Sequence, residues 1–143
     1  MTYRIIWTGN NRVVSSVAEV DAALDEAATA SVASLPVVVT VLPAGSEHLS
    51  PFDDDFPDSL EVGIGHPDRG FVRWMGDGGG YGYEPGLSPG PDGLRFDYGG
   101  QPVFPEPDEL RVTPVATLQA VRDFISTGTR PAHLLWRTPM DAH

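Results

Sequence analysis

Cysteine is absent from the 143-residue chain, which excludes disulfides and thiolate metal sites. Lysine is absent as well, since all nine basic residues are arginine. A GxxxxGK[ST] phosphate loop is therefore impossible, because its lysine must reach the phosphates. No apolar run approaches the roughly 18 residues needed to cross a bilayer; the longest, PVVVTVL at 36–42, is strand-sized. The opening residues, MTYRIIWTGNNR, carry neither the apolar stretch nor the cleavage site of a secretory signal. These absences set the expectation of a cytoplasmic protein with no membrane partner.

Hydrophobic residues make up 41% of the chain, enough for a single domain over 1–143 with its own core. The net charge of −11 is unevenly placed. Residues 47–109 hold 14 of the 20 acids but only Arg69, Arg73 and Arg95, so the whole excess falls within them, and the rest of the chain is balanced. Such a field repels nucleic acid and steers basic partners inward; alternatively, it only keeps the surface soluble.

Patterning predicts the elements. YRIIWT (3–8) reads as a strand, GNN (9–11) as a turn and RVV (12–14) as the returning strand. Ser16 with Glu19 forms a capping box that opens a helix over 17–30. PVVVTVL has the continuous β-branched character of a strand covered on both faces. LEVGIG (60–65) and GFVRWM (70–75), separated by HPDR, predict a hairpin with Leu60, Val62 and Ile64 on one side. YGYEPG and GLRFDYGG are shorter strand candidates, the latter with Leu94, Phe96 and Tyr98 on one face. QPVFPEPDELRV is too rich in proline for a central strand and suits an edge or a connection. Thr113 as N-cap, Pro114 at the first helical position and Gly128 as stop frame a second helix, and RPAHLLW (130–136) reads as a closing strand. The fold class is α+β: a mostly antiparallel sheet of about five to seven strands with two α-helices packed on it.

GDGGGYGYEPG (76–86) invites a nucleotide-binding reading, which its surroundings reject. A GxGxxG fingerprint needs a helix after it, but an extended segment follows Gly80, and Asp77 and Glu84 would repel phosphate. A hairpin tip fits better. Tyr81 and Tyr83 then share one strand face and, beside the acids, form a candidate protein-contact patch; the alternative is that they only cover the sheet. DDDFPD (53–58) lacks the glycine and distal glutamate of a calcium loop and reads as a solvated acidic loop or an electrostatic contact, with Phe52 and Phe56 pinning it. His48, His66, His133 and His143 show no metal-binding spacing, and no GxSxG or matched acid and base is present. No catalytic residue, metal ligand or cofactor is expected. Trp7 and Trp136 read as buried sheet aromatics, and Trp74, at the mouth of the glycine loop, as the most exposed of the three tryptophans.

TPVATLQAVRDFISTGTRPAHLLW (113–136) resembles the closing signature of a deaminase-associated immunity-protein family (Imm-one type) of bacterial polymorphic toxin systems. In that signature a helix ends in phenylalanine, followed by T-G-x-R-P and a short apolar stretch closing on tryptophan. Phe124, Thr127, Gly128, Arg130, Pro131 and Trp136 stand at those places. Upstream, LEVGIGHPDRGFVRWM is similar to the family's strand pair around a G-x-G element, and LRFDYGGQPVFPEP to its strand, glycine turn and P-E-P segment. The likeness spans about 60–136.

The resemblance implies a protein that binds and blocks a cognate toxin domain, often a nucleic-acid deaminase, without being an enzyme itself. Such a toxin needs a basic, aromatic-lined groove, which an acidic protein is suited to occupy. The candidate toxin-binding residues are Asp53, Asp54, Asp55, Asp58, Trp74, Asp77, Tyr81, Tyr83 and Glu84. Two rival readings stand beside this one: a small enzyme or ligand-binding domain with a pocket between sheet and helices, and a structural adaptor with no toxin partner.

Overall fold

The computed structural model describes residues 2–31, 36–45, 57–76 and 79–137. Among them, β1 (Tyr3–Trp7), β2 (Asn10–Val14), α1 (Val17–Ser31), β3 (Val37–Pro43), β4 (Leu60–Ile64), β5 (Val72–Trp74), β6 (Tyr81–Tyr83), β7 (Phe96–Tyr98), β8 (Gln101–Val103), a 3-10 turn (Pro107–Glu109), α2 (Pro114–Thr127) and β9 (Leu135–Arg137) follow in chain order. The strands form one sheet ordered β2-β1-β3-β4-β5-β6-β9, with β7 added beside β3 and β8 beside β7. All pairings are antiparallel except the short β3–β7 contact at Val37 and Asp97. This is the predicted α+β fold with two helices on a mostly antiparallel sheet, and its nine strands slightly exceed the five to seven expected.

The helix boundaries follow from their caps. Ser16 Oγ accepts the Glu19 amide at 3.2 Å, and Glu19 Oε1 reaches back to the Ser15 amide at 3.0 Å, one residue before the partner the box motif would give it. Thr113 Oγ1 accepts the Ala116 amide, Pro114 occupies the first turn, and Gly128 ends α2 at φ 72° with its amide on the Phe124 carbonyl. The strand boundaries differ more from expectation. β2 begins at Asn10, inside the predicted turn, and β9 begins at Leu135, so residues 130–134 form a turn rather than a strand.

Both helices pack on one face of the sheet. Ile5, Trp7, Val39, Val41, Leu60, Val62, Val72 and Trp74 meet Val20, Leu24, Ala27, Val121 and Phe124 there. Burial of these side chains, each contributing about 1.5–3 kcal/mol, is the main stabilising term. The opposite, helix-free face has a second, smaller core of Val38, Phe71, Phe96 and Leu110, formed where the β7–β8 hairpin folds over the sheet. Gly63 makes that closure possible: a Cβ there would stand 2.5 Å from the Phe71 ring and 2.6 Å from Phe96. Among the described residues, no helix is long and apolar enough to cross a membrane.

Candidate functional site

The glycine-rich segment is the β5–β6 hairpin tip. Gly79 and Gly80 have φ of 54° and 116°, and the Trp74 amide closes the hairpin on the Gly80 carbonyl at 2.9 Å. β6 follows it instead of a helix, so no helix N-terminus is presented to a phosphate. Asp58 lies against this tip, so closely that a Cβ on Gly76 would collide with its Oδ1. Asp58, the tip and the start of β6 at Tyr81 therefore share one end of the sheet. Asp53, Asp54, Asp55, Asp77, Phe52, Phe56, His48 and His143 lie outside the described residues.

From that end a polar row crosses the helix-free face. Strand register places Thr40, Glu61, Arg73 and Tyr81 side by side on β3, β4, β5 and β6. Glu61, 3% exposed, accepts from Arg73 Nη1 at 2.8 Å and from the Tyr98 hydroxyl. The Arg73 guanidinium also lies 5.1 Å from the Tyr81 ring centroid, and Arg111 lies 4.7 Å from that of Tyr83. Burial opposes the Arg73 charge, but Tyr81, Glu61 and Glu109 outweigh it and raise its pKa. Burial raises Tyr81 and Glu109 as well, with Arg73 opposing in both cases. The Tyr98 hydroxyl is pushed up to about 12 by burial, then by its hydrogen bond to the Glu61 carboxylate and that group's charge. Among the described residues, Arg73 Nε and Glu109 Oε2 are buried without hydrogen-bond partners. The row combines aromatic rings with the Glu61–Arg73 ion pair. Among the described residues no group of three or more His, Asp or Glu could hold a metal ion.

On the helix side, α1, α2 and the β4–β5 turn enclose a groove of about 610 Å³. Leu24, Ala28, Ile64 and Leu118 line it, and Asp21, Asp25, His66 and Arg122 contribute polar groups.

Residues 8–138 match the model of a known family, Immunity protein Imm1. The chain belongs to that family. The match extends well upstream of the likeness over 60–136, taking in β2 and α1. No curated protein matches the chain. Membership makes the chain an immunity protein, whose partner is a cognate toxin.

Two candidate contact residues of the immunity protein are tied into its fold. Trp74, expected to be the most exposed tryptophan, is only 5% exposed. Its partner across the β4–β5 ladder is Leu60, which faces the helices, and its ring meets Phe124 edge-on at 5.5 Å. The half-buried tryptophan is Trp136, whose indole N–H donates to the Pro131 carbonyl at 2.9 Å. Glu84 sits just beyond the end of β6 that is far from the hairpin tip. It accepts from the Thr113 amide at 2.6 Å and the Thr113 hydroxyl at 2.7 Å, which fixes the N-cap of α2. Glu84→Ala is expected to lower stability by about 1–2 kcal/mol, read as a lower midpoint in urea; an unchanged midpoint would show that the cap stands without it. His133 lies in the turn before β9, with Nδ1 3.0 Å from Asp123 Oδ2, and not in a strand.

Asp58 is exposed, and Tyr81 and Tyr83 are half-buried. Sequence reasoning missed Glu61, Arg73, Tyr98, Glu109 and Arg111. A signal for the first two was present: an acid in LEVGI and a base in FVRWM, each between apolar neighbours on adjacent strands, are brought opposite each other by the hairpin register.

Proposed function

We propose that this immunity protein neutralises a nucleic-acid deaminase toxin by occupying its basic groove, without chemistry of its own. The supporting observation is that Asp58 lies against the β5–β6 tip, at the end of the sheet where β6 begins with Tyr81. Asp53, Asp54, Asp55 and Asp77 are the chain neighbours of Asp58 and Gly76, and together with Tyr83 they complete the proposed contact surface. Trp74 and Glu84 act from beneath and beside it, by holding β5 and α2. Several acids of the acid-rich stretch are engaged within the fold: Glu61 with Arg73, Glu84 with Thr113, Asp97 with Thr8 and Asp108 with Arg137. Asp58, Asp68, Asp92 and Glu106 are exposed and supply a steering field toward a basic partner.

The deaminase identity draws on the resemblance of the closing segment, and cells provide its test. Co-expression of this chain is expected to rescue growth of cells producing the cognate toxin domain and to suppress deaminated bases in their nucleic acid. Tyr81→Ala with Tyr83→Ala is expected to weaken toxin binding by at least about tenfold, as for aromatic interface anchors. Rescue without any deaminated bases in unprotected cells would remove the deaminase class. Unchanged affinity of the tyrosine variants would move the contact surface off β6.

A further inference from the structure

We infer that the groove between α1, α2 and the β4–β5 turn is a second docking site of this protein, built to receive an arginine or lysine side chain carried by a partner segment. Its floor is apolar. Leu24 and Ile64 are buried, and Ala28 and Leu118 are partly buried against the main core. Its α1 rim carries Asp21 and Asp25, four residues apart and so on one helix face.

The charges around the groove are committed unequally. Arg122 Nε donates to Asp21 Oδ1 at 2.8 Å across the two helices, while Asp25 has no ion pair among the described residues. Arg69 also lines the groove, with Nη1 donating to the Ser88 and Leu110 carbonyls at 2.5 and 3.0 Å. Thr117 Oγ1 is spent on the Thr113 carbonyl. His66 Nδ1 accepts the backbone amides of Asp68 and Arg69, both at 3.1 Å, so the neutral ring carries its proton on Nε2. The groove therefore combines an apolar floor with one carboxylate, Asp25, that has no ion pair among the described residues, while Arg69 and Arg122 both hold bonds within the fold.

That combination selects its occupant. Lysine and arginine lay an alkyl stem on apolar surface while the charged head seeks an acceptor. The arginine fork adds directional hydrogen bonds to a carboxylate. An anion would face Asp21 and Asp25, and a purely apolar group would leave Asp25 unanswered. At about 610 Å³ the space exceeds one such side chain, so an apolar neighbour of the basic residue enters with it. The groove lies at the end of β4 away from Asp58, on the other face of the sheet from Tyr81. It is thus a contact separate from the tyrosine surface. That its occupant belongs to the toxin rests on the proposed function, whereas the existence of the site does not.

The test uses the free, full-length protein, labelled with nitrogen-15 and titrated with acetyl-arginine methylamide and with its neutral counterpart, acetyl-citrulline methylamide. Saturable shifts are expected at the amides of Asp25, Gly65, His66 and Leu118, with citrulline binding at least about tenfold more weakly. Asp25→Asn, at an exposed position that should not disturb folding, is expected to reduce the arginine preference to about threefold or less. Ala28→Leu, which fills the trough, is expected to abolish the shifts while the spectrum stays folded. Equal binding of the two amides, undiminished preference in Asp25→Asn, or shifts spread over the acid-rich stretch instead would overturn the inference. A flat titration would remove the groove with cellular rescue intact, and failed rescue would remove the immunity reading with the titration unaffected.

Discussion

Trp74→Ala is expected to destabilise the protein by about 3–5 kcal/mol, the range for deleting a large buried aromatic side chain. The ring is buried, its edge contact with Phe124 lies 5.5 Å between centroids, and Phe124 in turn meets Tyr3 at 5.5 Å. The three rings tie β5, α2 and β1 together, so the cavity opens at the centre of the larger core. In a chain of this length the loss amounts to a drop of roughly 10–20 °C in melting temperature. Trp74→Phe keeps a ring on Phe124 and is expected to lose less than half as much. A contact residue at the mouth of the glycine loop would behave in the opposite way, with weaker toxin binding and an unchanged melt. A Trp74→Ala protein that melts like the wild type would therefore refute the placement of this side chain.

Glu61→Ala is expected to cost about 3 kcal/mol, at the low end for breaking a buried ion pair because a third of the Arg73 side chain is exposed. The change leaves the Arg73 guanidinium without its carboxylate, in a setting where Nε already lacks a partner, and strips the Tyr98 hydroxyl of its acceptor. Glu61→Gln retains an acceptor while losing the charge, so its expected loss is about 1–2 kcal/mol. Combined with Arg73→Leu, Glu61→Ala is expected to do less harm than the two single changes added together, because neither charge is then left alone. Strict additivity in that cycle would mean that the row across the helix-free face is not one coupled network.

These two positions mark where the sequence is and is not legible. Local signals place α2 almost residue by residue, because Thr113, Pro114 and Gly128 act on their own backbone. The β4–β5 hairpin is likewise legible from alternation around a short polar turn. For Trp74, parity outweighs nearness to the glycine loop: Val72 and Trp74 lie on one side and Arg73 on the other, and pairing with Leu60 decides which side meets the helices. Glu84 is tied to Thr113, 29 residues away, and no local pattern announces such a cap. β8 forms in a proline-rich stretch because it needs only one neighbour, β7, and Pro102 is tolerated at that edge. The start of β9 depends on where β6 ends, a tertiary matter that an apolar run cannot fix by itself.

The central claim is that the protein works by docking onto a positively charged toxin surface, and association kinetics test it most directly. The measurement is the association rate of this chain with its cognate toxin domain from roughly 10 mM to 1 M salt, over which the screening length falls from about 30 Å to 3 Å. The account predicts a rate that falls by at least about tenfold as salt rises, with a smaller change in the dissociation rate. An association rate indifferent to ionic strength would contradict it.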